Sequence, residues 1–274
     1  MRAVPIKSLS VHLVLIIGAI VLMIPFFWMI ITSLKTSSEA LLIPPTLLPE
    51  NWQFSNYINV WKESNFVQYY LNTFIVMAVR TGGQFFLCSM AAFAISTMRF
   101  PGKNIIFVMM LSVMMFPPQI VMIPVYALMN QINWLDTYYV LTVPMMAGAF
   151  GVFLLRQFFL SIPRDLYEAA RIDGCSFPRI YWSIYMPLSI PALVSLSIFV
   201  ILGSWNDFLW PLVMTSSPDM MVLSVAIASF AGEFMTDYPS MMAAALMSVI
   251  PLILIYLFFQ RYFIEGIALT GVKG

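Results

Sequence analysis

Long apolar runs, interrupted by short polar stretches, set the pattern of this chain. Six of them, at 11–34, 70–96, 104–129, 138–160, 188–212 and 240–264, reach the roughly 20 mostly apolar residues that a helix needs to cross a bilayer. None alternates apolar with polar positions as a barrel strand does. Each run is therefore expected as a spanning helix, and the chain as an all-α integral membrane protein with six transmembrane helices. Pro25, Pro117, Pro118, Pro124, Pro144, Pro191 and Pro251 fall inside these runs. A bundle tolerates them because neighbouring groups satisfy the freed carbonyls. "MMFPPQIVMIP" at 114–124 is where a span is expected to bend or break.

The polar stretches carry an orientation. With the N-terminus in the cytoplasm, the inner side holds Arg2, Lys7, Arg99, Lys103, Arg156, Arg164, Arg171, Arg179, Arg261 and Lys273. The outer side holds Lys35 and Lys62, together with Glu39, Glu50, Glu63, Asp136, Asp219, Glu233 and Asp237. Lysine and arginine favour the cytoplasmic side, so both termini are expected to be cytoplasmic. The outer segments, 35–69 and 213–239, are long enough to touch another protein and too short to form a domain.

Composition narrows the function. Only 9% of the 274 residues are charged, against about 25% in a soluble domain. A net charge of +1 gives nucleic acid no reason to bind. Cys88 and Cys175 read as small apolar residues rather than a disulfide, and the single histidine, His12, builds no metal site. The run at 11–34 is too long for a signal-peptide core and has no small-residue cleavage site before Lys35, so it is expected to be a retained anchor. There is no lipidation motif, and the chain is expected to span the bilayer rather than be tethered to it. One membrane domain is expected over 1–274, with its core at 70–264.

One polar stretch is unlike the others. "YEAARIDGCSFPRIYWSIYMP", 167–187, lies in the inner loop 161–187 between the fourth and fifth spans. Pro163 is expected just inside a helix start, "RDLYEAARID" in a helix of about three turns, and Gly174 at its left-handed cap. Ser176 is expected to cap a second helix that carries "RIYWSIY" to Pro187. Ala169 and Ala170 leave a thin patch, while Glu168 and Arg171 share one face and Leu166 and Ala170 another. Such a helix suits docking into a groove and carries no catalytic set.

Composition alone would leave this a solvated positive-inside loop; its spacing says more. Glu168-Ala169-Ala170, three residues, Gly174, nine residues and Ile184-x-Met186-Pro187 resembles the signature loop of permease subunits in binding-protein-dependent ABC importers, with Met186 where leucine is usual. "AAFAISTMRFPGK", "LRQFFLSIPRDLYEAARIDG", "SWNDFLWPLV" and "QRYFIEGIALTGVKG" extend the likeness over 72–274 to the carbohydrate-uptake branch that includes the maltose-type inner permease.

The resemblance implies that Glu168, Ala169, Ala170 and Gly174 form a coupling-helix elbow docked on a cytoplasmic ABC ATPase. It further implies two ATPase copies, a second and often non-identical permease, and an extracytoplasmic solute-binding protein. The outer segment 213–239 is similar to a loop that approaches the binding protein, and 266–274 to a tail that touches the ATPases. No cofactor is expected in this chain. Its only Gly-Lys pair, Gly102-Lys103, has Thr97 where a phosphate loop needs glycine and is followed by Asn104 rather than serine or threonine, so ATP would be bound by the partner.

Within the spans, Arg80 is expected to snorkel or meet a helix-end carbonyl. Asn206 and Asp207, flanked by Trp205 and Trp210, offer hydrogen bonds and a stacking face for a sugar, and Trp205, Asn206 and Asp207 are candidates for the translocation path. An interfacial aromatic belt with a capping acid is the plainer reading of the same residues. An ion-coupled secondary carrier is the alternative function. It would show related repeats and midplane carboxylates, of which only Asp207 is a candidate. A membrane enzyme is not expected, for want of a clustered catalytic set.

Overall fold

The computed structural model describes residues 6–63, 65–232 and 236–271, with backbone only at 6–10, 63 and 261–271. Arg2, Glu233 and Lys273 therefore lie outside the described residues, as do the last three residues of the tail. Among the described residues the regular structure is helical, with one isolated bridge between Ala231 and Thr236.

The chain divides into two compact units, Met1–Val67 with Ala226–Pro251, and Gln68–Val225 with Leu252–Gly274. The first begins with α1 (Ile6–Ser33), followed by α2 (Ser37–Ala40) and α3 (Ser55–Glu63). The chain continues through α4 (Phe66–Thr97), α5 (Lys103–Val113), α6 (Met122–Gln131), α7 (Tyr138–Thr142), α8 (Ala149–Ser161) and α9 (Arg164–Ile172). Last come α10 (Phe177–Leu188), α11 (Ile190–Trp205), α12 (Leu209–Met214), α13 (Leu223–Ser229) and α14 (Tyr238–Gly271).

The apolar runs become helices where expected. Val11–Ser33, Phe66–Thr97, Tyr138–Ser161 and Tyr238–Gln260 are each long and apolar enough to cross a membrane. The count reaches six when two bent pairs are each taken as one span, Lys103–Val113 with Pro118–Gln131 and Phe177–Leu188 with Ile190–Trp205. The first pair turns by 93° at Pro117 and Pro118, where the sequence predicts the break. Neither proline can donate the hydrogen bond that would carry α5 onward.

The fifth span departs from expectation. It is continuous only over Ile190–Trp205, 16 residues, rather than to 212. Its start turns through 78° from α10 at Ser189, between Pro187 and Pro191.

Two apolar clusters organise the second unit. One joins Cys88, Phe93, Leu155, Phe159, Ile180, Tyr181, Tyr185 and Leu196, drawn from α4, α8, α10 and α11. The other joins Val76, Val140, Leu141, Trp210, Met214 and Val222. In the first, α4 and α8 approach at small residues, and a Cβ on Gly151 would stand 2.9 Å from Cys88 Sγ. Small side chains let membrane helices pack this closely.

Candidate functional site

The elbow is built as its sequence predicts except at Pro163, at Ser176 and in the faces of α9, where Leu166 is exposed and Ala170 buried rather than sharing one side. α9 ends in a Schellman cap: Cys175 N–H donates to Ala170 O at 2.9 Å and Gly174 N–H to Arg171 O at 3.2 Å. Gly174 takes φ +75°, a conformation that side chains disfavour. Pro163 stands one residue before the helix rather than inside it. Ser176 occupies the N-cap position of α10 but makes no side-chain capping bond. The two alanines face opposite ways, Ala170 buried in the core and Ala169 exposed.

The outward face of α9 therefore carries Leu166, Ala169 and Ile172, the last 87% exposed. Asp165, Glu168 and Asp173 are exposed beside them. Glu168 Oε1 accepts from Arg164 Nε at 3.0 Å across one helical turn, with both side chains more than half exposed. Arg171 turns away to donate to Cys175 O and lie over the Phe177 ring.

The elbow is also fastened to the bundle. Five residues of α10, Tyr181–Tyr185, adopt a π-turn, which sets Tyr181 and Tyr185 on Phe93 with centroids 5.5 and 5.0 Å away. Tyr185 also meets Phe159 edge-on at 5.4 Å. The Tyr181 hydroxyl shares a 2.6 Å hydrogen bond with Ser89 of α4. Edge-to-face contacts of this kind add about 0.5–1.5 kcal/mol each beyond buried area. α10 is thus tied to α4 and α8 through rings in contact.

A second polar cluster lies in the same unit. Arg80, 4% exposed, donates from Nε to Leu141 O at 2.6 Å and from Nη1 to Asp207 Oδ2 at 2.7 Å. The expected helix-end carbonyl is there, since Leu141 is in the last turn of α7; the ion pair with Asp207 is the unexpected part. Asp207 O accepts from Ser224 Oγ at 2.6 Å, and Trp210 Nε1 donates to Val140 O at 3.0 Å.

Sequence reasoning missed Asn72 altogether. Fully buried, it donates from Nδ2 to Asp219 O and Met221 O at 2.8 and 2.7 Å. Its Oδ1 accepts from Gln68 and from the Tyr138 hydroxyl. Thr73 Oγ1 next to it accepts from Leu223 N–H. Asp136 Oδ1 accepts from Ser216 and Ser217 N–H at 2.9 and 3.1 Å. Burial pushes this carboxyl up, but those donors outweigh it and hold it below its ordinary value.

The stretch from Asp207 to Leu223 is therefore pinned to α4 at the adjacent Asn72 and Thr73 and, two turns on, at Arg80. The signal that could have revealed it was the pair Asn72-Thr73 inside an apolar run. Of the three path candidates, Trp205 is buried against Phe74 at 5.3 Å and Tyr70 at 6.5 Å. Asn206 is exposed and donates back to Leu202 O, and Asp207 is half-buried in its ion pair.

Comparison with known proteins decides the family. A model of the binding-protein-dependent transport system inner membrane component matches residues 84–268. The chain belongs to this family. It is a permease subunit of a binding-protein-dependent importer and a multi-pass protein of the bacterial inner membrane.

The arabinooligosaccharides transport system permease protein AraQ of Bacillus subtilis is 34% identical, covering 91% of this chain and 90% of its own. The diacetylchitobiose uptake system permease protein NgcG of Streptomyces coelicolor is 33% identical, covering 91% and 84%. The sn-glycerol-3-phosphate transport system permease protein UgpE of Yersinia pestis is 32% identical, covering 93% and 94%. A chain from the crystal structure of a bacterial ABC transporter that imports the acidic polysaccharide alginate shares the fold. Its TM-score is 0.82 at 24% identity, over 96% of this chain and all of that one.

Proposed function

We propose that this permease is half of the translocation pathway of an ABC importer for a sugar or sugar-like solute, with both termini cytoplasmic. Two relatives named for oligosaccharide transport support that cargo class. The relative named for glycerol-3-phosphate extends it to a smaller polyol phosphate, a sugar-like solute. The whole chain acts as one membrane domain and catalyses no reaction itself. ATP is bound and hydrolysed by two copies of a cytoplasmic ATPase. A second permease completes the pathway, and an extracytoplasmic binding protein delivers the solute.

The observation that carries this reading is the exposed face of α9. Glu168 and Ala169 stand outward on a helix closed by Gly174, while Ala170 anchors the same helix in the core. A short helix with a small residue, an acid and an apolar edge fits a groove on another protein. ATP-driven closure of the ATPases would press on it, and the ring contacts of Tyr181 and Tyr185 would pass that displacement to α4 and α8. Asn206, and the oxygen of Asp207 that does not take the Arg80 bond, offer hydrogen-bonding groups to the solute near the outer end of α11 while Oδ2 of Asp207 stays in the ion pair. Trp205, packed against Phe74, supports them from behind.

The test is to tag the chain, extract it gently and identify what co-purifies, with Glu168→Lys and Gly174→Asp alongside. An ATPase and a second six-span chain should accompany the parent. Both variants should insert normally and lose the ATPase. Transport in liposomes without ATP, or unchanged transport in both variants, would overturn the reading.

A further inference from the structure

The segment that follows α1 is inside out. Lys35 and Glu39 are 1% and 6% exposed, while Ile43 is 96% exposed and Leu47, Leu48, Trp52 and Phe54 are each more than half exposed. Charged side chains are almost never buried while large apolar ones are left in water.

The inner polar groups are organised. Lys35 Nζ donates to Thr46 O, and Glu39 Oε1 accepts from Thr46 Oγ1 at 3.0 Å and Glu50 N–H at 2.9 Å. The far end of the loop is tied back to the chain where α1 ends. Gln53 N–H donates to Leu34 O at 2.8 Å, and Asn56 Nδ2 donates to both Ser33 O and Lys35 O at 2.9 Å. The loop is thus a closed, internally bonded structure whose apolar side chains are turned outward by its own polar core.

We infer that this loop lies in the bilayer interface, with Ile43, Leu47, Leu48, Trp52 and Phe54 inserted among the headgroups and upper acyl chains at that end of α1. Continuity names the occupant. The loop is fastened to a span whose apolar stretch has no buried residue, so its tips begin at the rim of a lipid-facing surface. Its charge agrees. Within 36–54 the only charged residues are Glu39, which is buried, and Glu50; no basic side chain points outward, and insertion rests on apolar area. Trp52 stacks on Phe54, centroids 6.3 Å apart, and tryptophan favours this depth. The inference rests on the membrane location of the chain and not on which side the loop occupies.

The experiment places a single cysteine at Ile43, Leu47 or the exposed polar position Asn59, with Cys88 and Cys175 replaced by alanine. Each is labelled with an environment-sensitive fluorophore in the transporter complex, purified through a tag on this chain and reconstituted in phosphatidylcholine–phosphatidylglycerol vesicles. Lipids spin-labelled at carbon 5 should quench positions 43 and 47 at least about twofold more than position 59, and iodide should quench them less. Lipid quenching reports the bilayer from either side, so a wrong orientation would leave this result unchanged. Equal lipid quenching at all three positions would overturn the inference. So would shielding from iodide without lipid quenching, which would assign the patch to a protein partner.

Discussion

Two arginine–carboxylate pairs in the second unit use the same chemistry for different ends. Arg164–Glu168 spans 3.0 Å with both side chains more than half exposed, whereas Arg80–Asp207 spans 2.7 Å with side-chain exposures of 5% and 22%. An exposed pair contributes about 0–1 kcal/mol. Removing one partner of a buried pair costs about 3–5 kcal/mol, because the other charge is left unpaired. Asp207 is therefore committed to holding the chain where α11 ends. Glu168 contributes little to the fold and is free to be given to a partner. Charge density alone does not reveal which acid the fold depends on; burial does.

The largest expected effect tests the buried side. Asp207→Ala should lower stability by about 3–5 kcal/mol by stranding Arg80, measured as the folded fraction left after heating in detergent. The double variant Arg80→Ala, Asp207→Ala should be less damaged than Asp207→Ala alone, since no unpaired charge remains. Equal loss in the two would mean that Arg80 is satisfied by the Leu141 carbonyl alone.

Next in size is the elbow's backbone. Gly174→Val should cost about 1–2 kcal/mol through the left-handed conformation alone. No atom lies within 4 Å of the position a Cβ would take, so the first side-chain carbon meets no obstacle and the cost lies in the backbone. Gly174→Asn should cost less, because asparagine tolerates that conformation. ATPase retention in membranes should follow the same order.

Glu168→Gln should change stability by less than about 1 kcal/mol while weakening association with the ATPase. Comparable losses in both would erase the distinction between the two pairs.

The smallest effect concerns acid. The carboxyl of Asp136 is held below its ordinary value by Ser216 and Ser217. Its contribution is therefore full above the free carboxylate range near pH 4 and is lost as pH falls through the lower folded value. Asp136→Asn should flatten the acid limb of stability between about pH 5 and 3, read as protease sensitivity of the segment at 213–223.

Much of this was legible in the sequence because it is local. Apolar runs locate the spans, Pro117 and Pro118 locate the sharpest bend, and Gly174 marks a helix end from its neighbours alone. What escaped is long-range. Arg80 and Asp207 are 127 positions apart, and Asn72 meets carbonyls 147 and 149 positions away. No periodicity encodes such pairings. The end of α11 was misread for the same reason. "NDFLW" continues an apolar run, and only its tethers to Arg80 and Ser224 show that the helix stops at Trp205. The opposed directions of Ala169 and Ala170 required knowing which side of α9 meets the core.

The most direct measurement compares Asp207→Ala and Glu168→Lys in the same membranes, scoring folded chain after heating and ATPase retained by the tag. Asp207→Ala should lose folded chain. Glu168→Lys should keep its folded chain and lose the ATPase by at least about tenfold, or about 1.4 kcal/mol. A Glu168→Lys chain that unfolds as readily as Asp207→Ala, or that keeps its full share of ATPase, would contradict the division between the two carboxylates.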